Sequence, residues 1–256
     1  MLRCMDTKRK LKLFLKLHAG LPRQGPGGRA STLRALQACT LPAAPQVLDV
    51  GSGPGMQTLD LATQLSDAKI IATDLHLDFL KELGGRHQLP DASLQRVCAD
   101  MRKLPFGEGQ FDLVWCEGAA YIMGVANALK AWKPMLKNTG YIAFTENVWL
   151  HDQPPEPIKS WWHAAYPAMS GMQQVADLCR AAGFEVVEHF ALPDSDWWPD
   201  YYEPLAANVA QLRAEFAGDS QALEVAAAGA EEIHMRKQYG EHYSYAFFVL
   251  RKSQAV

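Results

Sequence analysis

Apolar positions along this chain fall into short continuous runs separated by stretches of helical spacing. Val47-Leu48-Asp49-Val50, Ile70-Ile71-Ala72-Thr73, Leu94 to Cys98, Phe111 to Cys116 and Tyr141 to Thr145 have strand length. Between them, residues 57–65, 77–83 and 124–136 read as helices. Strands alternating with helices predict parallel βαβ units in a doubly wound α/β sheet covered on both faces. After Glu146 the texture changes. Residues 147–170 carry Pro154, Pro155, Pro157 and Pro167 among aromatics and suit an insertion. Met172, Val175, Ala176, Cys179 and Ala182 then recur at helical spacing, with Gly183 placed to stop the helix. Residues 184–190 predict a sixth strand and 243–250 a closing strand. Residues 193–239 are alanine-rich and mostly helical. The expected organisation is one domain over 1–256: a helical cover (1–44), a core (45–146), two lid insertions (147–170 and 193–239) and a closing segment (240–256).

The segment Lys8-Arg9-Lys10-Leu11-Lys12-Leu13-Phe14-Leu15-Lys16-Leu17 is basic and amphipathic, with Asp6 placed to cap it. Lys12 and Lys16 interrupt any signal-peptide apolar region, so a helix packed on the domain is favoured over one lying on a membrane. No apolar run is long enough to span a bilayer. The 256 residues hold 25 Lys and Arg against 28 Asp and Glu, a net charge of −3, which provides no global field for nucleic acid. No DNA partner is expected. Five scattered cysteines without CxxC spacing argue against a metal site or a disulfide framework and fit a reducing, cytoplasmic compartment.

The strongest chemical signal is Asp49-Val50-Gly51-Ser52-Gly53-Pro54-Gly55. A strand running into closely spaced glycines before a helix lets backbone N–H groups approach a ligand. Asp74 follows at the end of the second strand, where an acid reaches a ribose diol. A structural turn is the plainer alternative. The dinucleotide pattern wants a sixth-position glycine where this chain has Met56, which weakens a nicotinamide-dependent oxidoreductase.

The loop, with Val47 and Leu48 before it, resembles the first motif of the class I S-adenosylmethionine-dependent methyltransferases. Ala99-Asp100-Met101, Leu104-Pro105-Phe106 before Phe111-Asp112-Leu113-Val114, and Lys137-Asn138-Thr139-Gly140-Tyr141 agree with that family in order and spacing. The resemblance covers residues 45–146 and implies a seven-stranded, mostly parallel sheet whose last strand is antiparallel. It implies S-adenosylmethionine as cofactor and S-adenosylhomocysteine as product. It places Gly51, Ser52, Gly53, Gly55 and Gln57 in the binding loop, Asp74 and Leu75 at the ribose, and Asp100 and Met101 at the adenine. Glu117 and Gly118 fall beside the methionine part, and Tyr121 near the methyl group. Leu21-Pro22-Arg23-Gln24-Gly25-Pro26-Gly27 is similar to a segment before strand one in a bacterial small-molecule branch of these enzymes. Arg23 and Gln24 suit the cofactor's carboxylate, and the alternative is a plain linker.

The implied activity is methyl transfer to a small molecule. Glu117-Gly118-Ala119-Ala120 stands where amino methyltransferases of nucleic acids often carry a proline-rich motif, which disfavours base flipping. Trp149, Trp162, Trp198 and Tyr202, among carboxylates of the two insertions, suit an amine acceptor under the lid. A lid core or a homodimer interface would use the same residues. An oxygen acceptor needs a base, for which Glu146 and His151 are best placed. Core packing is the alternative for Tyr121, and a non-catalytic interaction module the alternative for the whole.

Overall fold

Strand runs become one mixed sheet in the computed structural model, which describes residues 8–86 and 93–253. The proposed cap Asp6 lies outside these residues. Strands β1 (Gln46–Val50), β2 (Lys69–Asp74), β3 (Leu94–Cys98), β4 (Phe111–Cys116), β5 (Leu136–Trp149), β6 (Phe184–Ala191) and β7 (Tyr243–Lys252) lie in the order β3-β2-β1-β4-β5-β7-β6. Neighbours from β3 to β5 are parallel. β7 is antiparallel to both β5 and β6. A two-residue strand, Ser170–Gly171, extends the sheet beside Val148 and Trp149 at the end of β5.

The two faces follow from period-two alternation along the strands. Leu48, Val50, Val114, Phe144 and Phe248 pack against α5 (Val125–Trp132) and α7 (Met172–Ala181). Val47, Leu113, Trp115, Ala143 and Phe247 face the other way, onto α2 (Arg29–Gln37), α3 (Met56–Gln64) and Leu83 of α4 (Leu77–Arg86). The chain leaves β1 toward β2 on one side and reaches β4 on the other, so the carboxyl ends of β1 and β4 flank a crevice.

A third cluster stands off the sheet. It joins Leu13 and Leu17 of α1 (Lys8–Leu17) and Ile158 of α6 (Glu156–Ala165) to α8 (Glu203–Glu215), α9 (Ser220–Tyr239) and the buried Trp197, Tyr201 and Tyr202. The basic face of α1 meets acids of the lid: Lys16 pairs with Glu215 at 2.6 Å, Lys10 with Glu224 at 2.7 Å, and Arg9 with Asp219. These three cations thus fasten the helix to the domain, the arrangement that the sequence reading favoured. No helix among the described residues is long and apolar enough to cross a membrane.

β5 differs from expectation at both ends: it begins at Leu136, where the helix was expected to reach, because α5 stops at Trp132. β5 runs on to Trp149 instead of ending at Thr145, so Glu146 and Asn147 are buried strand residues. Pairing with β7 from Tyr141 to Trp149 supplies backbone partners along this extension.

Candidate active site

The glycine loop is built by close approach. Gly51 has φ of 70°, and a Cβ there would stand 2.7 Å from the Ala119 Cβ; a Cβ on Gly55, at φ 86°, would run into Leu83. Such conformations belong to glycine. The Ser52 N–H donates to the Thr73 carbonyl at 2.8 Å and the Gly53 N–H to Asp74 Oδ2 at 2.9 Å. Asp49 accepts from the Thr58 hydroxyl at 2.5 Å and from Gln57 Nε2 at 3.3 Å. Burial, first among the causes, pushes its carboxyl up to about 7. Asp49 Oδ1 and Ser52 Oγ stay buried without a partner.

Over this loop lies a cavity of 290 Å³, lined by Arg23, Gln24, Gly51, Ser52, Gly53, Gln57, Asp74, Leu75, Asp100, Met101, Glu117, Gly118 and Tyr121. The structure therefore gathers the expected cofactor residues in one place, apart from Gly55, which sits behind the loop against Leu83. Asp74 also accepts the His76 N–H at 2.8 Å. Asp100 is gripped by the Arg102 guanidinium, with Nη2 at 2.6 Å from Oδ2, and these bonds hold its carboxyl down to about 2. Arg23 is already committed: Nη1 donates to Glu117 Oε2 and Nη2 to Asp60 Oδ2, both at 2.8 Å. Only its buried Nε lacks a hydrogen-bond partner. Glu117 further accepts from Thr32 at 2.8 Å and Trp115 Nε1 at 2.9 Å.

A second, inner chamber of 140 Å³ adjoins the first. Phe14, Gln24, Gly25, Pro26, Gly118 and Tyr121 line both, so Tyr121 stands where the two meet. Its ring meets Tyr166 edge-on, with centroids 5.7 Å apart. Behind it lie Trp161, Trp162, Trp197, Tyr201, Tyr202 and Tyr245. Trp162 and Tyr202 are thus where the sequence reading set them, but Trp149 and Trp198 line neither space. Trp149 packs on the third cluster, and Trp198 Nε1 donates to Asp194 Oδ2 at 2.9 Å. In the Trp197-Trp198 pair the helical turn points the other ring inward.

Both expected bases are corrected. His151 is exposed, its ring against His242 at 5.8 Å, outside both spaces. Glu146 is buried in β5 and does not line the chamber; it is hydrogen-bonded to Tyr166, which does. Burial pushes its carboxyl up to about 8. Two titratable residues missed from the sequence line the chamber instead. His18 Nδ1 lies 2.9 Å from the Phe14 carbonyl, and burial lowers the imidazole to about 4, so the ring is neutral. Glu232 accepts from the Tyr201 hydroxyl at 3.0 Å and the Tyr202 hydroxyl at 3.3 Å, and burial raises its carboxyl. Glu232 sits in the alanine-rich α9, where nothing in the local sequence distinguishes it from other helix acids.

The methyltransferase domain family matches residues 47–140, the stretch from β1 through the glycine loop and β4 into β5. These residues are a class I methyltransferase domain. The chain is 30% identical over 152 residues to a malonyl-[acyl-carrier protein] O-methyltransferase of Herminiimonas arsenicoxydans, which spans 58% of this chain and 56% of that protein. The match thus reaches little more than half the relative's length. Two solved structures share the methyltransferase fold. YjhP from E. coli has a TM-score of 0.82 at 18% identity, over 95% of this chain and 100% of that one. A SAM-dependent methyltransferase of Geobacter sulfurreducens, in complex with S-adenosyl-L-homocysteine, has 0.78 at 20%, over 93% and 97%.

Proposed function

We propose that this protein binds S-adenosylmethionine in the 290 Å³ cavity and transfers a methyl group to a small amine held in the inner chamber. The observation that carries the proposal is the shared wall at Tyr121 and Gly118, which sets a cofactor-sized cavity against a separate aromatic chamber. The residues present fit the cofactor. The loop has no Cβ at its closest approach, and Asp49 Oδ1 and Ser52 Oγ are buried beside it with no partner. Asp74 would receive the ribose hydroxyls, and Asp100 and Met101 the adenine. Glu117, Gly118 and Gln24 would flank the amino-acid end, with Arg23 holding Glu117 in place rather than binding directly. S-adenosylmethionine supplies its methyl group on a sulfonium, so the protein's work is alignment and exclusion of water. Tyr121 orients the acceptor at the junction, and Glu146 fixes the hydroxyl end of Tyr166.

Aromatic rings around a carboxylate favour an amine acceptor. A malonyl group, named for the curated relative, carries a carboxylate of its own. It would face Glu232 in a chamber whose described lining holds no lysine or arginine.

Calorimetric titration with S-adenosylmethionine, S-adenosylhomocysteine and NADH tests this reading. Binding of the first two is expected, weakened about ten- to a hundredfold by Asp74→Ala, the loss of one to two charge-assisted hydrogen bonds. Binding of NADH alone would reject it.

A further inference from the structure

We propose that Glu232 selects the acceptor: it holds a small organic ammonium in the inner chamber and takes one of its protons. The inference rests on the inner chamber being the acceptor site.

The geometry suits a cation. The Glu232 carboxylate lies half-buried on the chamber wall and receives two phenol hydroxyls, from Tyr201 and Tyr202. Among the described residues no lysine, arginine or histidine side chain forms an ion pair with it. Two neutral donors satisfy lone pairs but bring no positive charge, and a half-buried carboxylate among aromatic rings gains from a cation placed against it. An ammonium would supply both the third donor and the charge. Trp161, Trp162, Trp197 and Tyr245 bound the same 140 Å³, and their ring quadrupoles favour a cation further. The neutral His18 adds no competing positive charge. An alcohol would gain only a hydrogen bond there, and a carboxylate would be repelled.

An ammonium has no free electron pair, so recognition alone would leave it inert. Enclosure weakens the charged form of both partners, raising the carboxyl and lowering the ammonium. One N–H bond breaks, the proton joins a Glu232 oxygen, and nitrogen keeps the electron pair. The products are a neutral amine and a carboxylic acid, and no net charge is created. Glu232 is thereby both anchor and proton acceptor, and Tyr201 and Tyr202 hold it in place.

The test is tryptophan fluorescence of the protein saturated with S-adenosylhomocysteine, titrated with C3–C6 alkylamines and with alcohols of the same carbon skeletons. At least one amine should bind about tenfold or more tighter than its alcohol, the range of a charge-assisted over a neutral hydrogen bond. Glu232→Gln should abolish that preference while leaving alcohol and S-adenosylhomocysteine binding unchanged. Tyr201→Phe should reduce it while the carboxylate remains. Equal binding of amines and alcohols, no binding of either, or a preference surviving Glu232→Gln would overturn the proposal. Failure of S-adenosylhomocysteine to bind the unaltered protein would instead reject the cofactor reading beneath it.

Discussion

Gly51 shows how narrowly one residue can be specified. Its φ of 70° is left-handed, and its missing Cβ is the space in which the Ala119 methyl lies. Ala119 follows Gly118, which lines both the cavity and the chamber, so the contact couples the loop after β1 to the segment after β4. An alanine at 51 would take on the left-handed strain and push the two segments apart. Gly51→Ala is expected to lower stability by about 2 kcal/mol, the order of one strained residue, and to weaken S-adenosylhomocysteine binding beyond that of a surface glycine control. Gly85→Ala is that control, because a Cβ there meets nothing within 4 Å. Denaturant unfolding and calorimetry on the two variants measure both effects, and equal behaviour would contradict the account.

At the scale of elements, the segment between α1 and α2 acts as a strap fastened by Arg23. That guanidinium joins Asp60 of α3 to Glu117 after β4, with all three side chains less than a tenth exposed. Removing it leaves the buried Glu117 without a counter-charge and Asp60 with only the half-exposed Arg29, so Arg23→Met should cost about 3–5 kcal/mol. Arg29 also pairs with Asp60 but is half exposed, and Arg29→Met should cost less than about 1 kcal/mol. Thermal and urea unfolding of the pair decide the matter; similar losses would show that the strap is not held this way. The same elements explain what the sequence disclosed. The strands were legible because buried parallel strands are continuous apolar runs, and the cavity because glycines and acids must stand at strand ends to reach a ligand. The extension of β5 was hidden because Glu146 and Asn147 interrupt the apolar pattern while remaining buried. The inner chamber was legible only as a concentration of aromatics. Which ring of Trp197-Trp198 turns inward depends on packing between distant helices, and Glu232 carries no local signature at all.

Over the whole molecule, the site concentrates carboxyl groups that burial makes harder to ionise. Glu146 is pushed up to about 8 and Asp49 to about 7, and Glu117 and Glu232 are raised by the same cause. At Glu146 and Asp49 the folded protein therefore keeps protons that the unfolded chain, with carboxyls near 4 to 4.5, has released. Their stabilising contribution is complete below that range and is lost as pH rises through the folded values. His18 works in the opposite sense: lowered to about 4 when folded, it favours folding increasingly as pH rises, but only until the unfolded imidazole has lost its proton near 6.5. Between pH 6.5 and 8 the contribution of His18 is level and that of Glu146 is still falling. Stability should accordingly decline across this window, and Glu146→Gln should flatten the decline by at most about 1.4 kcal/mol per pH unit, the limit for one proton. Urea unfolding at half-unit steps from pH 6.5 to 8.5 measures the two slopes. Parallel curves for the two proteins would mean that Glu146 is ionised throughout, and the protonated carboxyl beside Tyr166 would have to be abandoned.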